Sequence, residues 1–259
     1  MKDLNHIRVL GTGTSVPEKN VFPSSYLISI NKRLMLIDAG QGICGRIISL
    51  GYCLDKIETI LITHIHSDHT MGIAEIVMAI INDDRISQHA INICISSNYI
   101  NFIKHELMHP WKKWIDKCSK IQFNYIPLTA KKTNKSDLYQ NKPFAVNHHP
   151  GSLGMLIETG GKRIAFTGDT DIFPIERENL KPADILFIES TTDDNHKIPG
   201  HLTVSEAVDL IHRTGIPVAY LTHILPQYRQ NVIKSLEKCS KKEGQHIKTA
   251  EDGQIIPII

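Results

Sequence analysis

Residues 63–69 read Thr-His-Ile-His-Ser-Asp-His, and this segment restricts the chain more than any other. Four of the six residues from His64 to His69 carry metal-ligating side chains. They follow a short apolar run at 59–62 and precede Gly72 and a helically spaced apolar pattern over 72–81. The segment is therefore expected in the loop at a strand's C-terminal end, where α/β sheets gather their sites. In extended backbone alternate residues share a face, so His64 and His66 can reach one ion together. Asp68 and His69 lie past the turn and can face a neighbouring position. Imidazole with carboxylate suits zinc, iron or manganese better than calcium, which takes oxygen ligands. A solvated polar turn explains one histidine well. It does not explain four ligand-type residues at this spacing behind an apolar strand.

Composition narrows the remaining choices. The chain has 259 residues, 41% of them hydrophobic, enough for one large domain over 1–259. The formal net charge of +2 argues against a general nucleic-acid binder, a stable DNA partner or a membrane-surface protein. The first ten residues lack the basic and apolar regions of a secretory signal, and no apolar run is long enough to span a membrane. Five scattered cysteines without a CxxC pair read as reduced thiols in the cytoplasm. The chain also holds 14 histidines, many in short polar segments.

Strands are expected at 7–10, 25–30, 33–37, 59–62 and 91–95, then at 142–147, 153–159, 163–167, 185–188 and 218–221, with a last one near 254–258. Asn31-Lys32 and Gly160-Gly161 are expected as hairpin turns. Helices are expected from Asp38-Ala39-Gly40 to Leu50, over 72–81, 98–108, 204–213 and 227–239. The fourth opens on a capping box, Thr203 with Glu206. Strands in both halves with helices between them give an α/β layered fold. Lysine-rich 131–142 reads as a solvated loop.

A pair of zinc ions needs ligands beyond the histidine cluster, because each takes about four. His148 and His149, Asp169 in Gly168-Asp169-Thr170, and His223 in Thr222-His223 each stand where a strand gives way to a loop. With these residues in order, the chain resembles the metallo-β-lactamase superfamily, in its ribonuclease Z and phosphodiesterase branch. The carrying motifs are His64-x-His66-x-Asp68-His69, His148, Gly168-Asp169-Thr170 and Thr222-His223. The opening Leu10-Gly11-Thr12-Gly13-Thr14-Ser15-Val16-Pro17, Leu36-Ile37-Asp38-Ala39-Gly40 and Gly200-His201-Leu202-Thr203 resemble the branch too. The Gly11-Gly13 loop is not a nucleotide motif, because Val16 replaces the third glycine and no GK[ST] follows.

The resemblance implies a four-layer αβ/βα sandwich with a two-metal site at one edge of the sheets. His64, His66 and His148 would hold the first ion. Asp68, His69 and His223 would hold the second, and Asp169 would bridge them. His148 is preferred over His149 because the branch places a glycine six residues on, which is Gly154. The ions are expected to be divalent, zinc first, with Mn2+ or Fe2+ as substitutes.

Two metals about 3.5–4 Å apart would supply a bridging hydroxide as the nucleophile for phosphorus and would stabilise the charge that develops. Catalysis is assigned to Asp68, Glu189 and His201. His201 is the expected acid for the leaving group, with Glu189 orienting it; both match the branch's Glu and His.

The substrate is then a small cyclic or nucleotide-like phosphodiester, or an RNA 3′ end. Enzymes that process tRNA insert a long arm between the third histidine and the bridging aspartate. Here only 20 residues, 149–168, stand between them, and they read as a plain hairpin, which favours the small substrate. The alternative is hydrolysis of carboxylic or sulfate esters or lactones on the same scaffold. An oxidoreductase relative would carry a carboxylate where His66 stands. Trp111 and Trp114, among lysines, are read as a lid, a stacking platform or a helix or dimer contact. Relatives are often dimers, so a homodimer is expected.

Overall fold

The computed structural model describes residues 5–173, 180, 183–240 and 244–258. Runs of isoleucine, leucine and valine bury both faces of the central strands, so layers must cover each sheet on both sides. Every residue of β2 (Ser25–Ile30) is buried between its neighbours β1 (His6–Gly11) and β3 (Arg33–Ile37). The first sheet continues through β4 (Ile57–Leu61) and β5 (His89–Ser96) to β6 (Ile121–Leu128). The second holds β7 (Asn134–Lys135), β8 (Gln140–Ala145), β9 (Leu153–Thr159), β10 (Lys162–Phe166), β11 (Ile185–Glu189), β12 (Val218–Thr222) and β13 (His246–Thr249). Its order is β13-β12-β11-β10-β9-β8-β7. The chain returns at β14 (Ile255–Pro257) to close the edge of the first sheet beside β1.

Each sheet is half antiparallel and half parallel. In the first, β3, β4, β5 and β6 run parallel; in the second, β10, β11, β12 and β13 do. The parallel halves need crossovers, which the helices supply. Helices α1 (Ile43–Ser49) and α2 (Gly72–Asn82) cover the outer face of the first sheet, packing Ile43, Ile73 and Ile80 against Leu36 and Ile60. Helices α3 (Val204–Thr214) and α4 (Arg229–Cys239) cover the second, packing Ala207, Ile211 and Val232 against Leu186 and Ile188. Between the sheets lie Ile28, Met35, Met155, Phe166 and Phe187. Three apolar layers thus separate four layers of structure, the expected αβ/βα sandwich. Among the described residues no helix is long and apolar enough to cross a membrane.

Local chemistry explains the turns. Asn31 and Lys32 have φ of 50° and 67°, and Gly160 and Gly161 have φ of 56° and 77°. Two consecutive left-handed residues match the twist of the hairpins they close. The capping box at α3 is formed, with Thr203 accepting from Glu206 N and Glu206 accepting from Thr203 N.

Three expectations need correction. The helix expected from Asp38 starts only at Ile43, because Asp38 has φ of 56° and turns its carboxylate inwards. Strand β6 escapes the pattern because it is an edge strand. Only Ile121 and Leu128 are buried in it, and it tolerates Pro127. Strand β7 and the first residues of β8 occupy part of the lysine-rich segment expected as a loop.

Candidate metal centre

Four strand ends meet at one edge of the sandwich. β4 delivers His64, His66, Asp68 and His69; β8, β10 and β12 deliver His148, Asp169 and His223. The sheets therefore contribute from both sides, although the residues lie as much as 159 positions apart, from 64 to 223. Ligand atoms of His64, His66, His148 and Asp169 lie within 4.8 Å of one another, as do those of Asp68, His69 and His223. Asp169 joins the two groups. Its Oδ2 is 3.6 Å from His64 Nε2, 3.8 Å from His148 Nε2 and 3.3 Å from His223 Nε2, and its Oδ1 is 3.3 Å from His69 Nε2. His223 Nε2 is also 3.3 Å from Asp68 Oδ2.

The approach of β10 to this edge depends on Gly168. Its φ is 60°, and a Cβ there would stand 2.7 Å from Thr63 Cβ. His223 has φ of 55°, a left-handed conformation uncommon outside glycine, held here by its surroundings. Gly154, six residues after His148, has a packing role: a Cβ would meet the Phe144 ring at 2.2 Å.

Most of the imidazoles are pinned at one nitrogen, leaving the other for the cluster. His69 Nδ1 donates to Asp38 Oδ2 at 2.8 Å, and His148 Nδ1 donates to the Gly200 carbonyl at 2.8 Å. Thr63 Oγ1 gives its proton to Asp38 Oδ2, so it accepts from His64 Nδ1 at 3.1 Å. Thr191 Oγ1 gives its proton to Glu189 Oε2, so it accepts from His223 Nδ1 at 3.0 Å. His66 is reversed: its Nδ1 faces the cluster, 3.0 Å from both His64 Nε2 and His148 Nε2.

These residues fit a cation. Buried His69 Nε2 and Asp169 Oδ1 face each other without a hydrogen-bond partner. Ring lone pairs elsewhere point at one another or at carboxylate oxygens. A positive ion between them removes both problems. The nitrogen spacing of 3.0 Å is close to the roughly 3.3 Å edge of a tetrahedral zinc site with bonds of about 2.0–2.1 Å.

Burial and the carboxylates act on these rings in opposite directions. Burial pushes the imidazolium forms of His64, His66 and His148 down, so these rings are neutral and able to ligate. Burial also opposes the charge on His69, but Asp169 and Asp38 outweigh it and raise its pKa well above the usual imidazole range. Burial disfavours the Asp169 carboxylate, yet His223, His69 and His64 hold its pKa well below the usual range. Asp68 is lowered against burial by His223 and His69.

Beside the cluster lies a second arrangement. Glu189 has no exposed surface and accepts from four donors: Thr170 N at 2.6 Å, Thr191 Oγ1 at 2.5 Å, Leu202 N at 3.1 Å and His201 Nδ1 at 2.9 Å. Burial disfavours charge on His201, but the Glu189 carboxylate reverses this and lifts the pKa to about 9. A nitrogen of His201 lies within 4.8 Å of ligand atoms of Asp169 and His223. The loop carrying His201 is clasped by Lys197, whose Nζ donates to Asp171 Oδ1, Glu206 Oε2 and the His201 carbonyl, each at 2.6 Å.

The seven expected ligands, with Glu189 and His201, thus stand in or against one cluster. His149 does not: its Nδ1 is 2.6 Å from the Tyr99 hydroxyl, and its ring is 5.9 Å from that of His66. Trp114 is 54% exposed, and Trp111 packs against the outer core. Sequence reasoning missed Asp38, which accepts from Thr63 N, Thr63 Oγ1 and His69 Nδ1, each at 2.8 Å. An aspartate directly after the apolar run 34–37 was the available signal. It also missed Thr191, Thr63 and Lys197.

Residues 33–224, more than half of the chain, match the model of the beta-lactamase superfamily domain. The chain belongs to that superfamily. It is 24% identical over 293 residues to a ribonuclease Z of Methanosarcina acetivorans, covering 95% of this chain and 95% of that one. It is 25% identical over 265 residues to a zinc phosphodiesterase ELAC protein 2 homolog of Caenorhabditis elegans. That match covers 84% of this chain and 32% of the relative, so the chain spans about a third of that protein's length. Among solved structures, the metallo-beta-lactamase fold protein YhfI of Bacillus subtilis is similar in fold. The TM-score is 0.79 at 17% identity, covering 98% of this chain and 99% of that one.

Proposed function

We propose that this chain is a phosphodiesterase dependent on two divalent metal ions, with His64, His66, His148, Asp68, His69, His223 and Asp169 as ligands. Zinc suits the donor set best, and manganese or iron are the substitutes. The reading treats 1–259 as one hydrolase domain, since both sheets supply ligands. Ions bound there supply Lewis acidity and a water made nucleophilic near neutral pH.

The observation that carries the reaction class is the Glu189–His201 pair. An imidazolium with a pKa of about 9 holds its proton at neutral pH and can give it to a departing alkoxide oxygen. Glu189, saturated with donors, fixes the ring so that Nδ1 is occupied and Nε2 is left for the leaving group. Asp68 remains ionised and can accept a hydrogen bond from the attacking water. Among relatives, one is named a ribonuclease Z and another a zinc phosphodiesterase.

A small or nucleotide-like phosphodiester is favoured over a tRNA precursor. Between His148 and Asp169 the chain forms only β9, β10 and their two-glycine turn, without an arm to hold a large RNA. Five cysteines, none of them paired, fit a reducing cytoplasm.

The test is turnover by zinc-loaded protein of bis(p-nitrophenyl) phosphate, 2′,3′- and 3′,5′-cyclic nucleotides and precursor tRNA. We expect aryl or small phosphodiesters to be cleaved, and His201→Ala to lose about 10²–10⁴ of kcat with its metal retained. Cleavage of carboxylic esters or lactones instead, insensitive to His201→Ala, overturns the reading.

A further inference from the structure

A cavity of about 420 Å³ adjoins the metal centre and shares His148 with it. It lies where the ends of β5, β6 and β8 meet the loop that leads into β9. A group bound in it lies against His148, one of the residues of the cluster. Its volume is in the range of small-molecule sites and suits one substituent of nucleoside size, not an extended chain.

The chemistry of its wall is unusual for a phosphate-processing site. Among the described residues no lysine, arginine, aspartate or glutamate lines it. The wall presents the hydroxyls of Ser97 and Thr129 and the amide of Asn98, all exposed. None of these three side chains makes a hydrogen bond within the described residues, so their donors and acceptors remain for a ligand. That contrasts with Thr63 and Thr191, whose hydroxyls are committed to Asp38 and Glu189.

His149 completes the wall in one orientation. The Tyr99 hydroxyl contacts the Pro150 carbonyl. The Tyr99 hydroxyl also lies 2.6 Å from His149 Nδ1, which holds the ring and turns its Nε2 away from Tyr99. Gly151, with φ of 91°, lets the loop pass Asn98; a Cβ there would stand 2.7 Å from Asn98 Nδ2.

Neutral donors and acceptors recognise hydroxyl groups. They supply no countercharge to a further phosphate, which is bound most strongly where a cationic side chain faces it. We infer that this cavity is a subsite for an uncharged, hydroxyl-bearing group of sugar type carried on the scissile phosphate, and that it discriminates against substituents bearing another phosphate. The inference rests on the phosphodiesterase reading for the reaction, but not for the binding. A site built to hydrogen-bond hydroxyls rejects analogues that lack them more strongly than an apolar pocket does.

The experiment compares kcat/KM of zinc-loaded protein for three probes: uridine 5′-(p-nitrophenyl phosphate), its 3′-phosphorylated counterpart and bis(p-nitrophenyl) phosphate. The uridine diester should be preferred, and the added phosphate should lower kcat/KM at least about tenfold. Asn98→Leu, which removes the amide, and Ala145→Trp, which fills the cavity, should each reduce the preference for uridine over aryl about tenfold. Equal rates with and without the 3′-phosphate, or ratios unmoved by both variants, overturn the subsite. If no diester is cleaved, the reaction reading fails and calorimetric binding decides. Uridine 5′-monophosphate should bind at least about tenfold more tightly than inorganic phosphate, with Asn98→Leu erasing the difference. Equal binding by the unmodified protein overturns the subsite.

Discussion

Glu189 Oε1 accepts a hydrogen bond from His201 Nδ1 at 2.9 Å, and the carboxylate behind that bond is completely buried. The pair couples a fixed negative charge to a ring beside Asp169 and His223. Glu189→Gln keeps the shape and removes the charge. We predict a loss of about 10²-fold in kcat on an aryl phosphodiester with the metal content unchanged. Steady-state kinetics and metal analysis on one sample check this; an unchanged kcat removes the pair from catalysis.

The same contact sets a pH limb. His201 is raised from 6.5 to about 9, so its proton is present at neutral pH and lost as pH rises through about 9. Activity should fall on that alkaline side, and Glu189→Gln should move the limb towards 6.5. The stability linkage has the same sign: the contribution of the pair is complete below pH 6.5 and disappears as pH rises through about 9. Rate profiles of both proteins between pH 5 and about 10 test the shift; coincident limbs would assign the proton to another group.

Asp38 joins the two pieces of the site by holding Thr63, beside His64, and His69 at once. Asp38→Ala leaves three buried donors without that acceptor, at a cost of about 1–3 kcal/mol of stability for each that finds no other partner. A histidine that loses its orienting carboxylate also binds metal about 10–100-fold more weakly. Competition with a chelator measures the second effect and thermal melting the first. A variant that melts early but binds metal normally would make Asp38 purely structural.

Lys197 is half exposed, so its ion pairs with Asp171 and Glu206 contribute little to stability, within about 1 kcal/mol. Its hold on the His201 carbonyl matters more for function. Lys197→Met should lower kcat about fivefold by loosening the acid's position, with little change in melting temperature. Lys197→Arg should recover part of it. A loss confined to melting temperature contradicts a positioning role.

Much of the fold was legible because its signals are local. Buried strands such as β2 and β11 read as apolar runs, and Asn31-Lys32 and Gly160-Gly161 carry the backbone conformation their turns require. β6 and β7 were not legible, because edge strands keep polar residues and resemble loops. The site divides the same way. The cluster from His64 to His69 announces itself by density, whereas Asp38 and Thr191 acquire their roles only through contacts made in three dimensions. Thr191 looks like an ordinary threonine until its hydroxyl is seen between Glu189 and His223. The choice between His148 and His149 rested on the spacing to Gly154. In the structure His148 stands in the cluster and His149 turns to Tyr99.

The proposed site holds two ions joined by Asp169. The most direct measurement is elemental analysis of the purified protein, before and after exposure to zinc, alongside Asp169→Asn. We predict close to two ions per chain in the unmodified protein and a marked loss in the variant. A chain that carries no transition metal and takes up none on exposure to zinc contradicts it.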